Sequence, residues 1–221
     1  MEIKDMLKHV DHTRLQAYCV WSEIDELCKE AIEYGTASVC IPPAYVEMVH
    51  NNYGDKINIC TVIGFPLGYQ VTSAKIEEAR QAIRQGCNEI DMVINITDVK
   101  NGLYSKVEEE IRAVKAVCEE HILKVIIETC YLTEEEKIAM CKAVASAGAD
   151  YIKTSTGFGT GGATVEDVKL FKEHIGPKVK IKAAGGVSSL EDLQTFLELG
   201  CDRIGTSRAI GLCKGLLTEG Y

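Results

Sequence analysis

Two lysines stand where lysine is costly. The runs "YIKTSTGFG" (151–159) and "VKIKAAGG" (179–186) are apolar segments interrupted by Lys153 and Lys182, and each continues into a glycine-bearing stretch. Residues two apart on a strand share a face. Tyr151, Lys153 and Ser155 therefore point one way and Ile152 the other. Lys180 and Lys182 alternate in the same manner with Val179, Ile181 and Ala183. Two ammonium groups facing one interior repel each other, and burial adds desolvation. Both effects lower a lysine pKa and favour the neutral amine, the form that Schiff-base nucleophiles require. "EIDMVIN" (89–95) adds a carboxylate, Asp91, on the face shared by Glu89, Val93 and Asn95. An enclosed carboxylate needs a partner, and the lysines can supply it. Read as structure, either lysine is an ion-pair partner of Asp91 or Glu128. Read as chemistry, Asp91 moves protons for a nucleophilic lysine.

Such groups must be carried by regular elements, and the chain repeats one pattern from end to end. Short apolar runs lie at 8–13, 37–43, 58–66, 89–95, 123–129, 150–156, 179–186 and 202–207, with charged amphipathic segments between them. Near-continuous apolar strands are those of parallel sheets buried on both faces. The segment 72–86 places Ile76, Ala79 and Ile83 on one helix face. The segment 133–148 opens with Thr133 and Glu136 at capping-box spacing, and 188–200 repeats the device with Ser188 and Glu191. Glycines at 148 and 200 stop these two helices. Eight strand–helix units in 221 residues predict an α/β fold, a (β/α)8 TIM barrel spanning residues 1–221 as a single domain, with a doubly wound open sheet as the alternative.

Catalytic groups of a barrel project from the C-terminal ends of its strands. Asp11, Cys40, Asp91, Glu128, Lys153, Lys182, Gly205, Thr206 and Ser207 are the polar or glycine residues in those places. The loop "GFGTGG" (157–162) matches a dinucleotide fingerprint in form. The acid expected about 20 residues further on is missing from "KIKAAGG", so a nicotinamide cofactor is not expected. The glycines suit the approach of backbone N–H groups to an anion. "AAGGVSS" (183–189) and "GTSRA" (205–209) follow the seventh and eighth strands, where barrels build phosphate sites, and Ser188, Ser207 and Arg208 add donors. Gly185 and Gly186 serve equally as a tight turn.

Composition narrows the partners. Acids outnumber bases 33 to 24, a formal net charge of −9 that argues against a nucleic-acid binder. Ten cysteines form no C-x-x-C, and no histidine cluster supplies three metal ligands, so no metal is expected. The amino-terminal "MEIKDMLKHV" lacks the apolar core of a signal peptide and no run is long enough to span a membrane, which leads us to expect a cytoplasmic protein. Acidic helices with scattered apolar residues are compatible with a homodimer.

The motifs "DHTRL" (11–15), "ASVCIPP" (37–43), "VIGFPLG" (62–68), "EIDMVIN", "VIIETC" (125–130), "YIKTSTGF", "KAAGGV" (182–187) and "IGTSRA" (204–209) run through nearly the whole chain. In this order they resemble the deoxyribose-phosphate aldolase family of metal-free class I aldolases. The resemblance implies a cofactor-independent, reversible cleavage of 2-deoxy-D-ribose 5-phosphate to D-glyceraldehyde 3-phosphate and acetaldehyde. It implies Lys153 as the Schiff-base lysine, Lys182 as the lysine that perturbs it, and Asp91 as the acid/base partner. Gly157, Gly185, Gly186, Gly205 and Ser207 fall in the phosphate-binding segments. Asp11 and Cys40 are candidate lining residues. Tyr221, hinged on Gly220, is a candidate for assisting proton exchange at C2. Some members carry a lysine directly after the glycine of "KTSTG". Here Phe158 stands in that place, so phosphate binding rests on backbone N–H groups. The competing expectations are another Schiff-base phosphosugar aldolase and a non-catalytic phosphosugar-binding barrel.

Overall fold

The computed structural model describes residues 1–218, with the side chains of 215–218 set aside. Eight parallel strands close into a barrel in sequence order. They are β1 (Val10–Thr13), β2 (Ser38–Ile41), β3 (Ile59–Ile63), β4 (Glu89–Val93), β5 (Ile122–Ile126), β6 (Tyr151–Lys153), β7 (Lys180–Ala184) and β8 (Arg203–Thr206). β8 pairs back onto β1 through Val10 with Ile204 and Asp11 with Gly205, which closes the sheet. The open-sheet alternative is thereby excluded. Each expected strand is present and ends earlier than expected by one to three residues, except that β1 ends with its run; β5 begins one residue earlier than expected. The helices are α1 (Ile3–Leu7), α2 (Trp21–Tyr34), α3 (Val46–Tyr53), α4 (Thr72–Arg84), α5 (Ile96–Lys100), α6 (Tyr104–Cys118), α7 (Glu134–Ala147), α8 (Val165–His174), α9 (Leu190–Glu198) and α10 (Ala209–Thr218).

Strand alternation divides the interior into two unlike regions. Val39, Ile41, Ile63, Ile90, Met92, Val125, Ile152, Ile181 and Ile204 point outward and join the apolar layer under the helices. Asp11, Glu89, Asp91, Lys124, Lys153 and Lys182 point into the lumen and are buried. The apolar layer supplies the hydrophobic driving force. The lumen is polar and is held together by ion pairs.

The helix boundaries follow local chemistry. Thr133 accepts a hydrogen bond from the Glu136 N–H, and Glu136 accepts in return from the Thr133 N–H, completing the expected capping box. At α9 the box sits one residue later than Ser188 and Glu191. Ser189 accepts from the Asp192 N–H, and the Asp192 carboxylate accepts from both the Ser188 and Ser189 N–H groups. Two adjacent serines followed by two adjacent acids made both registers readable, and the shorter Asp192 side chain takes the cap. In α4 the buried face is Lys75, Ala79 and Ala82, which shares Ala79 with the expected Ile76–Ala79–Ile83 stripe but takes the preceding residue at its other two positions. Ile76 and Ile83 are only partly buried.

Candidate active site

A cavity of about 490 Å3 opens at the C-terminal ends of the strands, lined by residues from β1, β6, β7 and β8 and the loops after them. Lys153 forms part of its floor. Gly157, Gly185, Gly186, Gly205 and Ser207 line it, with Ser188 and Arg208 beside them. These residues, 51 positions apart at the extremes (157 to 208), meet because β6, β7 and β8 are neighbours in the closed sheet. Gly157, Gly185 and Gly186 have φ of 87°, 79° and 78°, a left-handed backbone that side chains disfavour. Gly162 fits for a second reason: a Cβ there would lie 2.3 Å from the Gly185 carbonyl oxygen. The resemblance of "GFGTGG" to a dinucleotide motif thus has a packing origin, since two loops cross backbone to backbone. Phe158 is half exposed at the cavity edge, its ring edge-on to Phe65 with centroids 5.4 Å apart.

Beneath the floor lies a network of buried charge. The Lys153 ammonium donates to Asp91 Oδ2 at 2.7 Å, and Lys182 donates to the same oxygen at 2.7 Å. One carboxylate oxygen therefore bridges the two lysines. Lys182 also reaches Asp11 Oδ2 at 2.5 Å. Lys124 sits against the other Asp91 oxygen at 3.0 Å and against Glu89 at 2.5 Å. Arg203 forks onto Glu89 at 2.8 and 3.0 Å and touches Asp11 Oδ1, which also accepts from the Ser38 hydroxyl at 2.8 Å. Sequence reading placed Lys182, Lys153, Asp91 and Asp11 near this region. It missed Lys124 and Arg203, and it put Glu89 on the face of Asp91 without a role. Lys124 stands mid-run in "LKVIIET" as Lys153 stands in "YIKTSTG", so the same signal would have found it.

The electrostatic consequences follow from burial set against charge. Burial alone would raise the Asp91 carboxyl, yet Lys124, Lys153 and Lys182 hold it well below the usual carboxylate range. Asp11 is likewise held low against burial, by Lys182, Lys124 and Arg203. For Lys182, burial would lower its pKa, but Asp11 and Asp91 together hold it well above the ordinary lysine value. This corrects the expectation that the inward position lowers Lys182: two carboxylates outweigh the neighbouring ammonium and the lost solvation.

The three lumen lysines differ in access. Lys182 and Lys124 are fully buried, and only Lys153 contributes to the cavity lining. Asp91, Asp11 and Cys40 are also fully buried, below the cavity rather than in its wall. Cys40 packs with Cys60 and Val62 in a small apolar patch inside the barrel, beside the partly buried Leu15 and Phe65. Two buried donor triads, Cys40–Cys60–Asp91 and Asp11–Cys60–Glu89, have metal-like proximity. Their carboxylates already face Lys124, Lys153, Lys182 or Arg203, so the protein's own cations take the position an ion would need. Glu128 lies beyond β5 with φ 52°, fully buried and bonded to Thr156. Tyr221 lies outside the described residues.

One lysine borders the cavity, above a carboxylate that bridges it to a second, buried lysine. The model of the DeoC/LacD family of aldolases matches residues 5–218. The chain belongs to that family. It is 68% identical over 221 residues to the deoxyribose-phosphate aldolase of Clostridium botulinum (strain Alaska E43 / Type E3), with 100% of both chains covered. It is 56% identical over 219 residues to the deoxyribose-phosphate aldolase of Streptococcus pyogenes serotype M4, covering 99% of this chain and 98% of that one. Among solved structures, the aldolase QR15 superposes with a TM-score of 0.92 at 39% identity, covering 97% of each chain. A tetrameric deoxyribose phosphate aldolase from Aeropyrum pernix superposes with a TM-score of 0.88 at 27% identity, covering 99% of this chain and 93% of that one. Membership of this family makes the chain an aldolase, a carbon–carbon lyase. No helix among the described residues is long and apolar enough to cross a membrane.

Proposed function

We propose that this aldolase cleaves 2-deoxy-D-ribose 5-phosphate, with Lys153 as the covalent nucleophile. The observation that carries the reading is that Lys153 alone among the lumen lysines borders the cavity, with Asp91 Oδ2 bridging it to Lys182 at 2.7 Å on both sides. Four cationic groups, Lys124, Lys153, Lys182 and Arg203, share three carboxylates, Asp11, Glu89 and Asp91. In an interior poorly solvated by water such an excess is costly. Releasing a proton from Lys153, the one amine in contact with the cavity, makes the group neutral overall.

The neutral amine attacks C1 of the open-chain sugar. A proton delivered to the carbinolamine oxygen lets it leave as water and yields the iminium. Lys182 is the donor in this step. It is firmly protonated, and a new cation forming beside it eases the loss of its proton. Asp91 is ionised at rest, stabilises the iminium, and takes up and gives back a proton in passing it between the two nitrogens. The iminium is the electron sink. Once a base takes the C3 hydroxyl proton, the C2–C3 bond breaks, its electron pair enters the enamine, and D-glyceraldehyde 3-phosphate departs. Protonation at C2 and addition of water then release acetaldehyde and restore Lys153.

The glycines at 157, 185, 186 and 205, with Ser207, form the wall on which the phosphate rests. Their backbone donors suit an anion, and Arg208 adds charge at the rim. Asp11 acts at a distance by holding Lys182, and Cys40 supports the floor from below. The sequence reading of Tyr221 as an aid to C2 proton exchange remains part of the proposal. So does a homodimer, for which Tyr18, Tyr69 and Val71 offer exposed apolar surface. Ten cysteines without a disulfide suit a reducing cytoplasm. Borohydride reduction with acetaldehyde, followed by peptide mapping, tests the central assignment. An adduct on Lys153 supports it, and an adduct confined to another lysine overturns it. Binding of the sugar phosphate with no adduct would favour the non-catalytic barrel.

A further inference from the structure

Glu128 is a buried titratable group that the mechanism above leaves unused. It stands just past β5 with φ 52° and ψ 67°, a left-handed conformation uncommon for a residue bearing a side chain. Such a backbone persists only where its surroundings impose it, and it concentrates at functional sites. Its side chain faces the loop after β6. Oε1 accepts the Thr156 N–H at 3.1 Å, and Oε2 accepts the Thr156 hydroxyl at 2.5 Å. The Thr156 hydroxyl oxygen in turn accepts the Phe158 N–H at 2.9 Å. One carboxyl group thus fixes both ends of the turn 156–158 by a short relay. The contact leaves no slack. A Cβ on Gly159 would lie 3.1 Å from the Glu128 carboxyl carbon and 2.9 Å from Cys130 Sγ. Thr156, Gly157 and Phe158 all line the cavity, whereas Glu128 does not. Burial raises the Glu128 carboxyl above its ordinary value, and the two Thr156 bonds pull it back.

We propose that Glu128 is a positioning residue for the phosphate end of the substrate, acting through Thr156. By holding the Thr156 N–H and hydroxyl away from the cavity, it sets the left-handed turn at Gly157 that forms one side of the anion wall. The same relay seats Phe158 at the rim. Glu128 makes no hydrogen bond or ion pair with Lys153 and acts on it only as a more distant charge, so its main effect falls on binding of the phosphate and not on bond cleavage. This inference rests on the reading of Gly157, Gly185, Gly186, Gly205 and Ser207 as the phosphate wall.

The test compares Glu128→Ala and Glu128→Gln in the full chain, with 2-deoxyribose 5-phosphate and unphosphorylated 2-deoxyribose as substrates. Glu128→Ala should raise KM for the phosphorylated sugar about tenfold to a hundredfold, the scale of a positioning loss, with kcat changed by less than about threefold. KM for the unphosphorylated sugar should stay where it is. Glu128→Gln keeps an acceptor for the Thr156 N–H and should recover most of the loss. If Glu128→Ala does not fold, Glu128→Asp keeps the charge but draws the carboxylate back from the Thr156 N–H and hydroxyl, and should show the same selective rise in smaller measure. An equal rise for both sugars, or a fall in kcat at constant KM, overturns the proposal. Borohydride trapping on the wild-type chain runs alongside. Failure to trap Lys153 counts against the Schiff-base reading, and trapping without the KM split counts against Glu128 alone.

Discussion

Lys75 and Lys182 are both fully buried, and each lies against a carboxylate. Lys75 belongs to α4, outside the barrel. Its ammonium donates to Glu110 Oε2 on α6 at 2.9 Å and to the Val93 carbonyl at 2.8 Å. Glu110 also accepts from the Thr72 hydroxyl and the Asn95 N–H. One cation meets one anion there, and no described cavity reaches either of them. Burial lowers the Lys75 pKa, with Glu110 opposing. In the lumen the balance tips the other way. Burial would lower both lumen lysines, but Asp91, Asp11 and Glu89 raise Lys124, and Asp11 and Asp91 raise Lys182. The lumen also carries one cation more than its carboxylates can neutralise, and it opens onto the cavity at Lys153. A buried lysine therefore says little by itself. The excess of charge and the opening mark the lumen as chemical and the Lys75 site as structural.

Lys153→Arg gives the largest expected effect and the most direct attack on that contrast. Arginine keeps a positive charge over Asp91 but cannot become a neutral amine. Turnover and the borohydride adduct should both vanish, while the circular dichroism spectrum and thermal midpoint stay near wild type. Residual turnover with an adduct on another residue would dissolve the distinction between the accessible lysine and its sealed neighbours. Lys182→Leu comes next. Removing the proton donor should lower kcat by roughly 10²–10⁴, the usual scale of general acid–base assistance. Acetaldehyde should still be trapped on Lys153, more slowly. Full activity in Lys182→Leu would assign proton transfer elsewhere.

How much of the contrast could be read in the sequence depends on the distance over which each signal acts. Strand alternation is local, so Lys153, Lys182, Glu89 and Asp91 could be turned inward from the chain alone. The eight-fold repetition then gave the closed barrel. Membership of the charge network is not local. Arg203 opens β8 in "DRIGTS", where nothing nearby marks it as the partner of Glu89, 114 positions away. Lys75 shows the limit from the other side. Within α4 it resembles an exposed helix lysine, and the apolar Ile76 and Ile83 point to a different buried face. Only the packing of α4 on α6 supplies Glu110 and turns the buried face toward Lys75. The capping boxes lie between these extremes. Their chemistry is local, but "SSLED" offers two registers and backbone geometry selects one.

Lys75→Met carries the comparison to stability. It leaves Glu110 buried without its counter-charge, which costs about 3–5 kcal/mol, whereas Lys75→Met combined with Glu110→Leu removes both charges and should cost little. Urea titration at neutral pH gives both values. The activity of whatever remains folded should match wild type, because neither residue borders the cavity. A loss of turnover in the well-folded double variant would place the Lys75 pair within the catalytic machinery after all.

The smallest expected effect is the one that separates the two sites by sign. Lys75 has a folded pKa below the ordinary 10.5. Between that lowered value and 10.5 the unfolded chain binds more protons at this residue than the folded chain does, so the Lys75 contribution to stability rises with pH. Lys124 and Lys182 lie above 10.5 in the fold. Their contribution is fully present below 10.5 and is lost as pH climbs from there through the folded values. Unfolding free energies of wild type and of the Lys75→Met/Glu110→Leu variant, compared from about pH 8 to about pH 10, isolate the first term, because lumen and surface groups are common to both chains. The wild-type advantage should grow with pH, by about 1.4 kcal/mol for each unit by which Lys75 is depressed. Above 10.5, where unfolded lysines release protons that the folded lumen lysines keep, both chains should lose stability together. An advantage that stays flat across this interval would mean that Glu110 fully offsets the burial of Lys75. The two sites would then differ in access alone, and the sign of their pKa shifts would no longer distinguish them.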